Sequence, residues 1–533
     1  MGTIHILTDR WHICYTFLLY SKKYINFVAK TVLIHHKTPT TMKKFLSLVA
    51  IVAVTMLQPA FAQKQFIKNV SDQLKKNSNT EQNVQTTQQP VQQNANSAQS
   101  EQTAAPKPAA TVQDGTAYYV SKTTGSNRAD GSKSAPLKNL QKAIDKATDG
   151  AVIYVAEGNY YGSLDCGTIE IKKAVKIYGG YSTDFAERDI LKHKTFIQPL
   201  PEANGTTKMG TVVVDIQQES DNEFVLDGFI IDRGNCNAYN ARGEGKPEGV
   251  FSPMLLPIAG KGIGGPNLDQ QDVISSSTPT IRLNVKCPAT IRNCAILNSF
   301  NYAILGSGGV KKITIENNLI INSCYAACEI SGSLVKGNTP IEFAHNTVLF
   351  NWARLKDLGD MGYGYRYKNM ADSYVHHNII GCSTFAGLDR THTDGNKERE
   401  AKRITTAEHN IFFLNRQADL TLPGGGMFVR VWAKDFEDVE QLAEVEGNKS
   451  ITDPSIFGGK LDAAYLKGFI NVSYKENVEY DPNSGANQFR AALGMNKQGK
   501  INSSVTMFAN RYPWEKALEL FGAVNGYGAQ QPK

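Results

Sequence analysis

Ile315-Glu316-Asn317-Asn318-Leu319-Ile320 is the clearest copy of the pattern that decides the fold: an apolar residue, a variable residue, two polar residues and then an apolar pair. Related copies recur along the chain, with their third positions at residues 293, 317, 345, 377 and 409, and hence at intervals of 24, 28, 32 and 32 residues. Repeats of this length are typical of stacked structural units. Strand-like runs rich in β-branched residues dominate the units, and no helical periodicity separates them. The pattern therefore predicts parallel strands wound as a solenoid.

A column of polar pairs follows from this stacking. The pairs are Asn317-Asn318, His345-Asn346, His377-Asn378 and His409-Asn410. Each residue should lie about 4.8 Å from its counterpart in the next coil, so amide and imidazole groups can form a hydrogen-bonded ladder. An alternative is that His345, His377 and His409 bind a metal, since neutral imidazoles are common metal ligands.

A short helix is predicted before the repeats. Leu140, Ile144 and Ala147 form an apolar stripe at helical spacing that stops at Asp149-Gly150. Such a helix would cover the open end of the solenoid, whose exposed edge could otherwise pair with another chain. Two strands are expected next, over residues 151–160 and 175–181.

This opening resembles a known superfamily. Asp130-Gly131 through Pro136, the helix, and Val152-Ile153-Tyr154-Val155 with Gly158-Asn159-Tyr160 are similar to the start of right-handed parallel β-helix proteins of the pectin-lyase-like superfamily. The resemblance covers about residues 116 to 420 and implies an all-β, right-handed parallel β-helix with an N-terminal capping helix. It does not imply one activity, because the superfamily includes lyases, glycoside hydrolases, esterases, epimerases and non-enzymatic surface proteins. The sequence lacks both the Asn-Thr-Asp, Asp-Asp and Gly-His-Gly series of polygalacturonases and the Arg-x-Pro-x-x-Arg of pectate lyases.

The rest of the chain suggests an exported protein. Met42-Lys43-Lys44, a short apolar run and Ala60-Phe61-Ala62 match a secretory signal peptide. We therefore expect five segments, with secretion, the periplasm or the cell surface as the destination. They are an over-called upstream segment (1–41), the signal peptide (42–62), a Gln/Asn-rich disordered linker (63–115), the β-helix domain (116–426) and C-terminal coils with a cap region (427–533).

Composition excludes several classes of protein. Hydrophobic residues make up 41% of the chain, yet no apolar run is long enough for a polytopic membrane protein. The formal charge of +7 is concentrated in the first 62 residues, so the remaining chain has no basic footprint for nucleic acid. The sequence contains seven cysteines after the signal peptide, and none of their spacings matches a zinc-binding motif. Cys324 and Cys328, near Cys294, could form a disulfide or simply pack inside, and burial is the favoured interpretation.

Two over-long turns on consecutive coils carry the candidate site. Breaking a uronate polymer by β-elimination needs a cation at the carboxylate, a base and an acid. Arg354, Arg366 and Arg390 could clamp carboxylates, and Lys356 or His392 could act as the base. One of Tyr363, Tyr365 and Tyr367 could supply the proton or stack on sugar rings. The oxygens of Asp357, Asp360 and Asp389 could hold Ca²⁺; pairs of these carboxylates could alternatively catalyse hydrolysis.

Other interpretations of these turns remain open. Interspersed arginines and aspartates also form ordinary surface salt-bridge lattices, which have no catalytic role. The sequence therefore leaves two functions open. One is an exported protein that acts on an acidic polysaccharide as an enzyme or binds it. The other is a non-catalytic surface or secreted protein that binds a glycan or a protein. The expected partner is a polysaccharide, which would contain uronates if the elimination hypothesis holds.

Overall fold

A computed structural model describes residues 116–164, 167–200, 210–232, 279–299, 301–333, 337–352, 362–391, 398, 402–424, 427–473, 485–492, 494 and 511–532. The predicted signal peptide and linker, the Gly-rich insertion at 234–278 and most of the two over-long turns lie outside these residues. Among the described residues, no helix is long and apolar enough to span a membrane.

Short strands make up most of the described chain. The first thirteen are β1 (Ala117–Val120), β2 (Val152–Ala156), β3 (Gly158–Tyr160), β4 (Ile169–Ile171), β5 (Lys176–Tyr181), β6 (Thr195–Ile197), β7 (Val212–Ile216), β8 (Phe224–Asp227), β9 (Ile230–Asp232), β10 (Ile281–Val285), β11 (Ala289–Arg292), β12 (Ala295–Ser299) and β13 (Tyr302–Gly308). The others are β14 (Ile313–Glu316), β15 (Leu319–Cys324), β16 (Ala326–Ser331), β17 (Thr339–Ala344), β18 (Thr347–Trp352), β19 (Tyr363–Lys368), β20 (Ala371–His376), β21 (Ile379–Ser383), β22 (Ala386–Asp389), β23 (Thr405–Glu408), β24 (Ile411–Phe413), β25 (Ala418–Gly424), β26 (Met427–Val431) and β27 (Lys449–Ile451).

The strands form three nine-stranded sheets, and each regular coil contributes one strand to each sheet. The first sheet has the order β1-β2-β5-β8-β11-β14-β17-β20-β23, the second β3-β6-β9-β12-β15-β18-β21-β24-β27, and the third β4-β7-β10-β13-β16-β19-β22-β25-β26. Every pairing is parallel except β25 with β26. The register pairs Ile291 with Ile315, then Phe343, Val375 and Ala407. These steps reproduce the predicted intervals, and the predicted parallel β-helix is confirmed.

The interior of the coil is filled with apolar side chains from all three sheets. Ile291, Ile315 and Phe343 belong to this core. The phenyl ring of Phe343 stacks on the ring of Tyr365 with centroids 4.3 Å apart and an interplanar angle of 5°. Burial of β-branched and aromatic rows in register supplies the main driving force for stacking coils.

The polar pairs of the repeat have two distinct roles. Their first members, among them Asn317, His345 and His377, have φ values of 53°, 51° and 54°. Asn and His are among the side chains enriched in this left-handed conformation, which turns the chain from the first sheet into the second. Their second members point inward. The side-chain Oδ1 of Asn378 accepts hydrogen bonds from the backbone N and the Nδ2 of Asn346 at 2.8 and 3.2 Å.

The asparagine ladder was predicted and is confirmed. It runs through Asn318, Asn346, Asn378 and Asn410, which are all fully buried. It also reaches Asn448, whose Oδ1 accepts from Asn410 Nδ2 at 3.0 Å. The coils therefore extend one rung past the point where the sequence pattern becomes hard to recognise.

The predicted N-terminal helix is present as α1 (Leu140–Lys146). Its N-cap is Asn139, whose side chain accepts a hydrogen bond from the backbone N of Lys142 at 3.1 Å. Leu140 and Ile144 are buried in the same core as the first strands. The helix contacts β1, β2 and β4, and so covers the first rung of the coil.

The C-terminal residues pack in two places. Phe436 and Leu442 join the interior core beyond the last rungs. The helices α2 (Ala463–Ser473), α3 (Gly485–Ala492) and α4 (Trp514–Leu518) follow. Tyr465, Phe469 and other apolar residues of this segment form a second core with residues of the second sheet, such as Ile321 and Leu349.

The described cysteines are all buried, and none of them forms a disulfide within the described residues. They are Cys287, Cys294, Cys324, Cys328 and Cys382. The favoured interpretation of packing inside the coil is confirmed for Cys287, Cys294 and Cys328, which belong to the interior core. Cys324 and Cys382 are buried instead in the second core, with the C-terminal residues.

Candidate functional site

The third sheet brings two of the predicted site residues together. Arg366 and Asp389 are register partners on β19 and β22, and Arg366 Nε donates to Asp389 Oδ2 at 2.5 Å. Glu329 on β16 is the partner on the other side, with its Oε2 3.6 Å from Arg366 Nη1. Its other oxygen, Oε1, lies 2.7 Å from Lys368 Nζ. One buried guanidinium thus lies between two carboxylates, and neither Glu329 nor Lys368 was among the predicted site residues.

Aromatic rings surround this charge cluster. The guanidinium of Arg366 lies 4.1 Å from the ring centroid of Tyr363 and donates from Nη1 to Tyr325 Oη at 3.1 Å. Burial works against the charged form of Arg366, but the Asp389 carboxylate together with Tyr363, Tyr325 and Glu329 outweighs it, so the pKa of the arginine is raised above its ordinary value. Arg366 is only 2% exposed. Its charge is therefore already balanced within the protein.

Tyr365 and Arg390 are placed elsewhere. Tyr365 is fully buried inside the coil, where its hydroxyl lies 3.0 Å from Ser373 Oγ and burial raises its pKa well above the ordinary value. Arg390 is buried too, and donates to Thr405 Oγ1 at 3.3 Å and to the backbone oxygen of Arg403 at 3.2 Å. Arg354, Lys356, His392, Asp357 and Asp360 lie outside the described residues.

The environment of Asp389 bears on the predicted calcium site. Its Oδ2 accepts from Arg366, and its Oδ1 accepts from Thr421 Oγ1 at 2.7 Å and from the backbone N of Thr391 at 3.1 Å. Both oxygens are thus satisfied by protein donors, including a cation. Asp389 fits a structural ion pair better than a ligand for Ca²⁺.

The outer face of the first sheet carries an aromatic strip that the sequence analysis did not identify. Tyr119, Tyr154 and Tyr178 are register partners on β1, β2 and β5. The ring centroids of Tyr119 and Tyr154 are 5.1 Å apart, and those of Tyr154 and Tyr178 are 6.2 Å apart. Tyr181 packs edge-on against Tyr154 at 5.3 Å. We call these four half-buried tyrosines the aromatic strip.

Neighbouring residues hold the strip in place. Phe185 is buried against it, with its ring centroid 5.0 Å from that of Tyr119. The guanidinium of Arg188 lies 5.6 Å from the ring of Tyr178 and is fixed by Asp227 Oδ1 at 2.6 Å. Burial raises the pKa of Tyr181 to about 12, so its hydroxyl stays protonated at neutral pH. The sequence contains a pattern that could have predicted the strip, since Tyr154 and Tyr178 each follow an inward-facing isoleucine on successive coils.

The opposite end of the same outer face carries histidines. His345, His377 and His409 occupy equivalent corners of three coils, and the ring centroids of neighbours are 4.9 and 5.1 Å apart. His376 was not predicted to join this column. It ends strand β20, and its Nδ1 lies 3.1 Å from the Nδ1 of His377. Tyr374, which is 40% exposed, stacks on His376 at 4.1 Å.

The three parallel sheets and the in-register coils define this chain as a parallel β-helix protein of the pectin-lyase-like type. Within it, residues 123–243 match the family described as "Protein of unknown function (DUF1565)". This segment includes the strands that carry Tyr154 and Tyr178. No curated protein sequence matches the chain.

Solved structures with similar coils include carbohydrate-active proteins. Pectin methylesterase PemA from Erwinia chrysanthemi is 10% identical, with 66% of this chain and 97% of that chain covered and a TM-score of 0.31. A rhamnogalacturonan lyase is also 10% identical, with 78% and 100% covered and a TM-score of 0.26. A complex of XylC with xylose is 11% identical, with 59% and 73% covered and a TM-score of 0.23. The assignment of the class rests on the sheet topology of this chain.

Proposed function

We propose that this protein is exported and binds a polysaccharide along the outer face of the first sheet, with the aromatic strip as the contact surface. One observation carries the proposal: tyrosines from successive strands present half-exposed rings side by side on a rigid sheet. Tyrosine combines a large apolar face with a polar tip and has few rotatable bonds. A row of such rings, repeated along the coil axis, suits a ligand that is itself a linear repeat of rings with apolar faces.

Contacts of the charged residues favour binding over elimination. Arg366 is balanced by Asp389 and Glu329, and Tyr365 faces the interior. Next to the strip, Arg188 is paired with Asp227, which also pairs with Arg292 at 2.7 Å. Recognition at the strip would therefore depend on stacking more than on charge, so neutral chains would bind as well as uronates. β-Elimination through Arg354, Lys356 and His392 remains a separate prediction.

The leader supports the exported location. Residues 42–62 have the order of a signal peptide, and residues 63–115 have the composition of a flexible linker. An exported β-helix held on such a linker would meet polysaccharides outside the cytoplasm.

Binding to a glycan panel tests the proposal. The chain from Gln63 onward would be titrated calorimetrically with polygalacturonate, rhamnogalacturonan, xylan and a neutral glucan, while absorbance of unsaturated uronates is followed in parallel. The double variant Tyr154→Ala/Tyr178→Ala loses two stacking faces at about 1 kcal/mol each, so we expect binding about 10- to 30-fold weaker. Trp432→Ala removes an aromatic side chain that is 37% exposed and outside the strip, and it is the matched control.

Three outcomes are informative. Binding that survives about 0.5 M salt, is weakened by the double variant and is unchanged in Trp432→Ala supports the strip. Absence of binding to every glycan, or equal binding by the double variant with an intact circular dichroism spectrum, contradicts it. Release of unsaturated uronates would instead support the elimination prediction.

A further inference from the structure

Three imidazoles from two neighbouring coils converge at the C-terminal end of the first sheet. His345 and His377 are corner residues one rung apart, and His376 is the last residue of β20. One ring nitrogen from each of the three lies within 4.8 Å of the corresponding nitrogens of the other two. All three side chains are partly exposed. This arrangement differs from the predicted His345, His377 and His409 set, because His376 replaces His409.

The distances are close to those of a shared metal ion. Two imidazole nitrogens bound to tetrahedral zinc at 2.0–2.1 Å are about 3.3 Å apart. The Nδ1 atoms of His376 and His377 are already 3.1 Å apart. The Nδ1 of His345 is buried and has no hydrogen-bond partner. A small side-chain rotation at His345 would complete a three-nitrogen set and give that atom a partner.

A carboxylate orients one of the histidines. Glu342 Oε1 lies 3.3 Å from His376 Nε2, and Glu342 Oε2 is held by Lys312 Nζ at 2.6 Å. The carboxylate favours a proton on Nε2 of His376 and so leaves the lone pair of Nδ1 pointing toward His377. Metal-binding histidines commonly donate their second ring nitrogen to a carboxylate in this way.

We propose that His345, His376 and His377 form a site for a divalent transition metal ion of the zinc class, with Glu342 as a positioning residue. Imidazole-only coordination suits Zn²⁺, Co²⁺, Ni²⁺ or Cu²⁺ and is a poor match for Ca²⁺ or Mg²⁺. Three protein ligands leave a fourth position for water or an external ligand. Tyr374, stacked on His376, lies at the edge of this site.

Titration of the full exported chain with zinc tests the site. The protein is purified with an affinity tag that contains no histidines. After chelator treatment we expect one Zn²⁺ per chain by calorimetry, and visible d–d absorption on Co²⁺ substitution. His376→Ala and His377→Ala should weaken binding at least 100-fold, and Glu342→Gln should weaken it about 10- to 100-fold. His409→Ala separates the two histidine sets, because binding should persist. His193→Gln, a histidine far along the chain, is the matched control.

Two results would overturn the proposal: no stoichiometric Zn²⁺ binding by the wild type, or binding that His376→Ala and His377→Ala leave unchanged. Loss in His409→Ala with retention in His376→Ala would assign the metal to the other set and reject this one. If the alanine variants fail to fold, X-ray absorption of the zinc-loaded wild type decides. Imidazole scattering from three histidines supports the site, and oxygen-only coordination rejects it.

Discussion

The side-chain Nδ2 of Asn346 donates to Oδ1 of Asn378 at 3.2 Å, although 32 residues separate the two along the chain. The same Oδ1 accepts from the backbone N of Asn346 at 2.8 Å, and Asn378 Nδ2 donates to the backbone O of Phe343 at 2.7 Å. One asparagine thus binds two backbone groups of the preceding coil at the buried corner. The ladder therefore fixes the register on which every surface of the coil depends.

Asn378→Ala should strongly destabilise the protein. It leaves the buried backbone N of Asn346 without its acceptor, at about 1–3 kcal/mol, and it removes the hydrogen bonds that Asn378 Nδ2 donates to the backbone O of Phe343 and to Asn410 Oδ1, at about 1 kcal/mol each. We expect a loss of about 3 kcal/mol or more in urea unfolding. Asn284→Ala is the control, because Asn284 is half-buried on the outer face and its side chain accepts from Ser307 Oγ. A change below about 1 kcal/mol is expected there. Equal losses in both variants would argue against the ladder.

Tyr365 should behave as a core residue. Tyr365→Ala leaves a cavity beside Phe343 and should cost about 3–5 kcal/mol, whereas Tyr365→Phe loses only the contact with Ser373, at about 1 kcal/mol. Neither glycan affinity nor any polyuronate cleavage should change in Tyr365→Phe. A Tyr365→Phe variant that keeps its stability and loses activity would mean that the hydroxyl reaches a substrate.

Arg366 and Asp389 should contribute mainly to stability. Asp389→Asn removes the charge that neutralises a buried guanidinium and should cost about 3 kcal/mol in unfolding free energy. The double replacement Arg366→Met/Asp389→Leu should recover part of this loss. Lys516→Gln breaks an exposed pair with Glu519 and serves as the control, with a change below about 0.5 kcal/mol. If Asp389→Asn unfolds like the wild type, the pair is not the buried contact described above.

His193 should make stability depend on pH. Burial lowers the pKa of its ring, but hydrogen bonds to Glu187 and Glu157 outweigh this effect and raise the pKa above 6.5. Because the folded-state pKa is the higher one, the stabilisation is complete below about pH 6.5 and is lost as the pH rises through the folded value. The melting temperature of the wild type should exceed that of His193→Gln at about pH 6, and the gap should narrow by about pH 8.5. If the difference in melting temperature between the two proteins did not change with pH, the pKa of the His193 ring would be the same in the folded and unfolded states.

The coil could be predicted because its rules are local. Left-handed corners select Asn or His, and the inward neighbour must be an asparagine that reaches the next rung, so intervals of 24 to 32 residues are visible despite turns of different length. The N-terminal helix was equally visible from its apolar stripe. The helices α2 and α3 were not, since packing against the second sheet depends on residues far away in sequence.

The site was harder to predict because strand alternation fails in the third sheet. Ala303 and Ile304 are consecutive, yet both belong to the interior core. Tyr363 and Tyr365 are two residues apart, yet they belong to different clusters. A simple alternation would place both tyrosines on one face. It therefore could not distinguish Tyr363, whose ring lies beside Arg366, from Tyr365, whose ring is buried inside the coil. His376 directly precedes the repeated corner residue His377, so the column of equivalent repeat positions does not contain it.

Hydrogen exchange with and without bound polysaccharide tests the central claim most directly, because it reports which face of the coil the ligand covers. Protection is expected in peptides that contain β1, β2 and β5, which carry the aromatic strip, and should disappear in Tyr154→Ala/Tyr178→Ala. Protection confined to β16, β19 and β22 around Arg366, with the strip unaffected, would contradict the account and place the ligand on the third sheet.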